Sequence, residues 1–185
     1  MEDAVREIWM KKIEDLQRTK NWEYVRFLCM EMLYFEPNFI DARKILQSAR
    51  ETILPPTGLV KFFMTFSVIL KCLWYLINIK KKHQLLLMTL DELIDVSPKS
   101  VIFTRFFAEI MFGFGFYESS IFLVECIEEE RRNPADWLLI GESYLGCEDF
   151  KSAMDIANKI LEVYPDNIRA RDLLWKASVE QSINR

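Results

Sequence analysis

The 185-residue chain is 51% hydrophobic and 28% charged, which excludes intrinsic disorder and leaves material for one ordinary core. Five glycines and six prolines are too few for the many tight turns of a sandwich or barrel, so the composition favours helices joined in short-loop pairs. A formal net charge of −4, with acids and bases interspersed, lacks the basic stripe of a nucleic-acid binder, and no nucleic-acid partner is expected.

Taken in order, the chain begins Met1-Glu2-Asp3-Ala4, which is acidic and polar and unlike a secretory leader. Cys29, Cys72, Cys126 and Cys147 are widely spaced with no Cys-x-x-Cys pair, so four buried, reduced cysteines in a cytoplasmic protein is the expectation. A first helix pair is predicted near 2–36, followed by a short connecting helix at 38–52. Leu54-Pro55-Pro56-Thr57-Gly58 is the strongest interruption in the chain and the natural hinge. The division that follows is 1–52 as a degenerate N-terminal unit with its connecting helix, 53–58 as a Pro-rich hinge, and 59–185 as a helical array with a C-terminal capping helix.

The next pair, 57–97, contains the segment Leu59 to Ile79, in which 16 of 21 residues are apolar and which runs into Lys80-Lys81-Lys82. That pattern resembles a membrane span with a positive flank. Lys71 near its middle costs roughly 2.5–3.5 kcal/mol on the insertion scale, and the surrounding Leu, Ile, Val and Phe offset it at about 0.3–0.6 kcal/mol each, so arithmetic does not decide the matter. Topology does more: a span would put residues 1–52 on the far side of a bilayer and strip the helix His83–Asp95 of its partner. Ser67, Lys71 and Asn78 form a narrow polar stripe, so the helix is expected to have one wet edge and three buried sides, covered by the array or by a partner. A membrane span through 59–79 is the less favoured reading, and the lysine run reads as a solvated helix end.

Further pairs are predicted at 100–132 and 134–164, with a last helix at 167–183. The clearest motif lies here. Trp137, Ile140, Gly141 and Tyr144 fall at three- and four-residue steps on one helix face, and Ala153 and Pro165 follow at fixed distance. Gly141 and Ala153 are small where two helices must approach, and Pro165 stops the second helix. Ala157 departs from the pattern, standing where a large aromatic is usual. The spacing recurs: Trp9 and Pro37 are separated as Trp137 and Pro165 are, and Pro37 to Leu46 parallels Pro165 to Leu174. In that first copy Ile13 replaces the glycine and Val25 the alanine. In the third pair Phe107, Ala108, Met111 and Ser120 take the places of Ile140, Gly141, Tyr144 and Ala153.

These residues resemble the signature of the tetratricopeptide repeat family over most of the chain, strongly at 134–174 and weakly at 57–97. The resemblance implies an all-α fold, an α-solenoid of antiparallel helix pairs, with a groove lined by the first helix of each pair. By phase the candidate groove residues are Arg105, Glu109 and Phe112, then Leu138, Glu142 and Leu145, with Trp175 at the margin of the last helix. The Lys and Asn that family members use to clamp a C-terminal carboxylate are absent at Arg105, Glu109, Leu138 and Glu142.

No chemistry presents itself. His83 is the one histidine, no metal-ligand spacing or nucleophile–base set exists, and Gly113 and Gly115 fall at an inter-helix turn rather than in a phosphate loop. No enzyme activity and no cofactor are expected. The function implied is a scaffold or adaptor holding a peptide or helix of a protein partner. A small cytoplasmic chaperone for a secreted client is the alternative, and an adaptor tethered to membrane through 59–79 the weaker one.

Overall fold

The computed structural model describes residues 3–183, which form ten α-helices and no strand among the described residues. The side chains of residues 79–81, and with them most of the lysine run, lie outside the described residues, as do Met1 and Glu2. The helices are α1 Asp3–Arg18, α2 Trp22–Phe35, α3 Ile40–Thr52, α4 Gly58–Ile77, α5 Ile79–Val96, α6 Val101–Gly113, α7 Tyr117–Glu125, α8 Pro134–Gly146, α9 Phe150–Val163 and α10 Ile168–Ile183. A short 3₁₀ turn, Glu129–Arg131, precedes α8. The chain is of the α-solenoid class and divides into two compact units, Met1–Phe103 and Thr104–Arg185.

The repeat is written into the backbone as well as the sequence. Lys20, Gly115 and Glu148 occupy the same turn position of three helix pairs, and all three have positive φ, at 56°, 80° and 62°. The residue after each caps the second helix of its pair. Asn21 accepts from the Tyr24 amide and Asp149 from the Ser152 amide, satisfying a donor that the first turn leaves open. Two of these turns thus take the left-handed conformation without a glycine, which is how a glycine-poor chain makes them.

Small residues sit where helices cross. A Cβ on Gly141 would lie 2.5 Å from Leu173 Cδ2 of α10 and 3.2 Å from Ile156 Cγ2 of α9. In the third pair the corresponding Ala108 is fully buried, and its carbonyl accepts from Ser120 Oγ at 2.9 Å. In the first pair Ile13 and Val25 are both fully buried, so the larger side chains there fill the crossing rather than leave it.

Each unit has its own core. In the N-terminal unit α2 contributes Val25, Leu28, Cys29, Met32 and Leu33, spaced as one helix face, packed on Ile13, Ala42, Leu46 and Ala49. In the C-terminal unit Leu138, Ala153, Ala157, Ile160, Ala170, Leu173 and Ala177 form the centre. Ala157 is fully buried, so the residue that departs from the aromatic pattern is accommodated by close packing.

Two expectations change. The apolar helix α4 is not buried on three sides: only Val68 and Cys72 are buried, while Leu59, Phe62, Phe63, Phe66, Leu70, Leu73, Trp74 and Ile77 are exposed. It packs along α5 by one narrow face, and its mean hydropathy reflects composition rather than burial. Of the four cysteines, Cys29 and Cys72 are buried and Cys126 and Cys147 are exposed, because the latter two follow the last turns of α7 and α8. Trp137 is half-buried, because the cations of Lys159 and Arg132 cover its ring, at 3.9 and 5.0 Å from the centroid.

Candidate partner-binding groove

A cavity of about 780 Å³ lies wholly in the N-terminal unit, bounded by α2, the end of α3, the Leu54-Pro55-Pro56 segment, α4 and α5. Pro55 and Pro56 cannot join a helix at this point and hold the chain open between α3 and α4. The walls are mixed. Met30, Ile53, Phe63, Met64 and Val68 give an apolar side, and Arg26, Arg50, Asp95, Lys71 and Glu92 a charged one.

The charged side is anchored in the core. On α3, Ala42, Leu46 and Ala49 mark the buried stripe, and Arg43 and Arg50 lie on the same stripe rather than in solvent. Their partners come from α5, where Asp91 is buried among leucines. Arg50 reaches Asp91 Oδ1 at 2.9 Å and Asp95 Oδ1 at 2.6 Å, and also donates to the Asp91 carbonyl. Arg43 lies 3.6 Å from Asp91, and Arg26 of α2 takes the other oxygen of Asp95 at 2.9 Å. The network therefore ties α2, α3 and α5 together. Burial opposes the charge on Arg50, but Asp91 and Asp95 outweigh it and hold the guanidinium more firmly protonated than usual. Burial pushes the neighbouring Cys29 thiol up to about 12, with Arg50 acting against that shift.

Arg26 stands at the lip of the groove. Its terminal nitrogens meet Asp95 and Glu23, but its Nε is buried with no hydrogen-bond partner among the described residues. Lys71 and Glu92 pair at 3.5 Å across the opening.

The residues chosen by repeat phase lie elsewhere, in the C-terminal unit, and most are engaged by their own chain. Arg105 forms a two-pronged pair with Asp136, at 2.5 and 2.6 Å, and its charge is held by that bond. Asp136 is itself buried, locked into the capping box of α8 with Asn133. Leu138 is not on a groove at all: it is 4% exposed, inside the core with Ala153 and Leu173. Leu145 packs against the same core, Phe112 sets its ring edge-on to Tyr117, and Glu142 pairs with Arg169 of α10 at 2.8 Å. Glu109 and Trp175 are exposed, Trp175 to 64%.

Among the described residues no three His, Cys, Asp or Glu side chains converge as a metal site would require, and His83 is exposed. Neither the family models nor the curated proteins include a match to this chain. Among solved structures it is similar to one titled "MamA RS-1 ArsTM double mutant", 12% identical over 100% of this chain and 98% of that one, with a TM-score of 0.42. That likeness is loose, and the fold rests on the helix pairs and recurring turns already described.

Proposed function

We propose that the chain is a cytoplasmic protein-interaction module of the tetratricopeptide type, a scaffold that holds a segment of a partner polypeptide. The observation that carries this reading is the groove of the N-terminal unit: about 780 Å³, with an apolar side of Met30, Met64 and Val68 and a charged side of Arg26, Arg50 and Asp95. Such a volume matches the size of recognition pockets, and its mixture of apolar walls and a few fixed polar groups is what orients a ligand. A partner's apolar side chain would fill the space while its polar groups meet the charged side. The charged network behind the wall fixes α2 and α5, so the groove needs little rearrangement before binding.

Met64 is half-exposed and its replacement spares the core, so Met64→Glu separates binding from folding. A tagged wild-type chain recovered at native expression should bring down a partner in fixed proportion, and Met64→Glu should lose it while keeping an unchanged helical spectrum. Retention of that partner at the wild-type ratio by both Met64→Glu and Arg26→Ala would remove the groove from the account.

A further inference from the structure

We infer that α4 seats the N-terminal unit on an anionic lipid surface, lying in the plane of the interface rather than across the bilayer. The helix is amphipathic in the inverse of the usual sense. Leu59, Phe62, Phe63, Phe66, Leu70, Leu73, Trp74 and Ile77 fall within an arc of about 120° at 100° per residue, with no polar residue among them. All eight are more than half exposed, from 51% at Leu70 to 80% at Ile77. Val68 and Cys72, the two buried residues, point the opposite way. The 20-residue helix has a mean hydropathy of 1.7 in its most apolar window, of which 11% is buried. A soluble surface rarely leaves so long an apolar ridge in water.

The charges beside the ridge name its occupant. From Ile53 to Leu90 the sequence contains five lysines and no Asp or Glu, in a chain whose formal net charge is −4. Lys71 flanks the ridge, and Lys80-Lys81-Lys82 follows its end. Lys82 places its ammonium 5.9 Å from the Trp74 ring and 5.7 Å from the Tyr75 ring. An apolar helix face of Phe, Leu and Trp, bordered by lysines and closed by an aromatic pair, is the composition of a helix at an anionic headgroup layer. A second copy of the chain fits less well, since paired α4 segments would bring the lysines of both copies together and Glu92, already paired with Lys71, is the one carboxylate shown beside them.

Orientation follows from the ion pairs. Arg50 precedes α4 and Asp91 and Asp95 follow it, yet Arg50 meets both, at 2.9 and 2.6 Å. A transmembrane α4 would separate these partners by the hydrocarbon core of about 30 Å. The helix can stay on α5 through Val68 and Cys72 only if it enters the lipid sideways.

Vesicle flotation with the full chain tests this. Wild type should float with vesicles containing about 30 mol% phosphatidylserine in phosphatidylcholine and stay behind with phosphatidylcholine alone. A triple variant, Phe62→Ser, Phe66→Ser and Leu70→Ser, changes only exposed residues and should keep the helical spectrum while binding about tenfold more weakly or worse. In a Cys126→Ser, Cys147→Ser background, cysteines introduced singly at Thr57 and Gln84 should both react with an impermeant maleimide added outside the vesicles. Equal flotation of wild type and triple variant would overturn the proposal, as would protection of one introduced cysteine, which would mean a span. So would a wild type that ignores lipid but loses a dimeric mass, or a protein partner, on triple substitution.

Discussion

Arg43 and Arg171 stand at the same place in the first and last repeats and make the same bond: each donates to the carbonyl of the proline six residues before it, Pro37 and Pro165. The proline ends one helix, and the arginine of the next helix reaches back to fix the turn. The setting differs. Arg43 is 2% exposed and also faces Asp91, whereas Arg171 is largely in solvent and pairs with Asp166. Arg43→Ala should therefore cost about 2–4 kcal/mol, because it removes a buried guanidinium with its bonds to the Pro37 carbonyl and weakens the charge balance around the buried Asp91. Arg171→Ala should cost less than about 1 kcal/mol. Urea midpoints measure both, and equal losses would mean that burial at Arg43 is immaterial.

A helix crossing and a left-handed turn give a second pair of variants with opposite signs. Gly141→Ala places a methyl 2.5 Å from Leu173 Cδ2, and the overpacking should outweigh the gain in helix propensity for a net loss of about 1–2 kcal/mol. Glu148→Gly removes the strain of a side chain at φ 62° and should stabilise by about 1 kcal/mol. Thermal melting reads both. A stabilising Gly141→Ala would show that α9 and α10 do not press on that position.

Much of this was legible in the sequence because the signature residues have mechanical jobs at fixed spacing. Trp137, Gly141, Ala153 and Pro165 mark a helix face, a crossing and a stop, and the helices fall accordingly. What covers a helix was not legible. Leu59 to Ile79 reads as apolar whether it is wrapped by protein or left bare, since composition carries no record of the neighbour. The groove was missed for a related reason: Arg43 and Arg50 look like solvated charges until α5 brings Asp91 and Asp95 to them from a distant part of the chain. The signal available was their position on the Ala42, Leu46 and Ala49 stripe. Leu138 failed in the opposite direction, because repeat phase placed it on the open face and α9 and α10 buried it.

Trp137→Ala should cost about 2 kcal/mol, below the 3–5 kcal/mol of a fully buried aromatic, since the ring is half-exposed beneath Lys159 and Arg132. Lys159→Ala should recover only a small part of that, under about 1 kcal/mol, because its ammonium is solvated and also pairs with Glu129. Chemical denaturation of the two variants and their combination gives the coupling. A loss for Trp137→Ala as large as full burial predicts would place the ring in the core.

The Cys29 thiol ties stability to alkaline pH. Its folded pKa of about 12 exceeds the ordinary 9.0, so the fold holds it neutral while the unfolded chain ionises. The stabilisation is complete below pH 9 and is lost as pH rises toward 12, by roughly 1.4 kcal/mol at pH 10. Denaturation at pH 8 and pH 10, with Cys29→Ala removing that part of the slope, checks the sign. At pH 7.5 a maleimide should label the exposed Cys126 and Cys147 within minutes and Cys29 only after unfolding, as located by mass spectrometry.

The most direct test of the groove as a protein-binding site is site-specific photocrosslinking in the native cell. A benzophenone amino acid at Met64 or Met30 should yield one discrete adduct with a single protein on irradiation. The same probe at Val163, exposed in the other unit, should not yield that adduct. Absence of any protein adduct from both groove positions, or the same set of adducts from all three, would contradict the account.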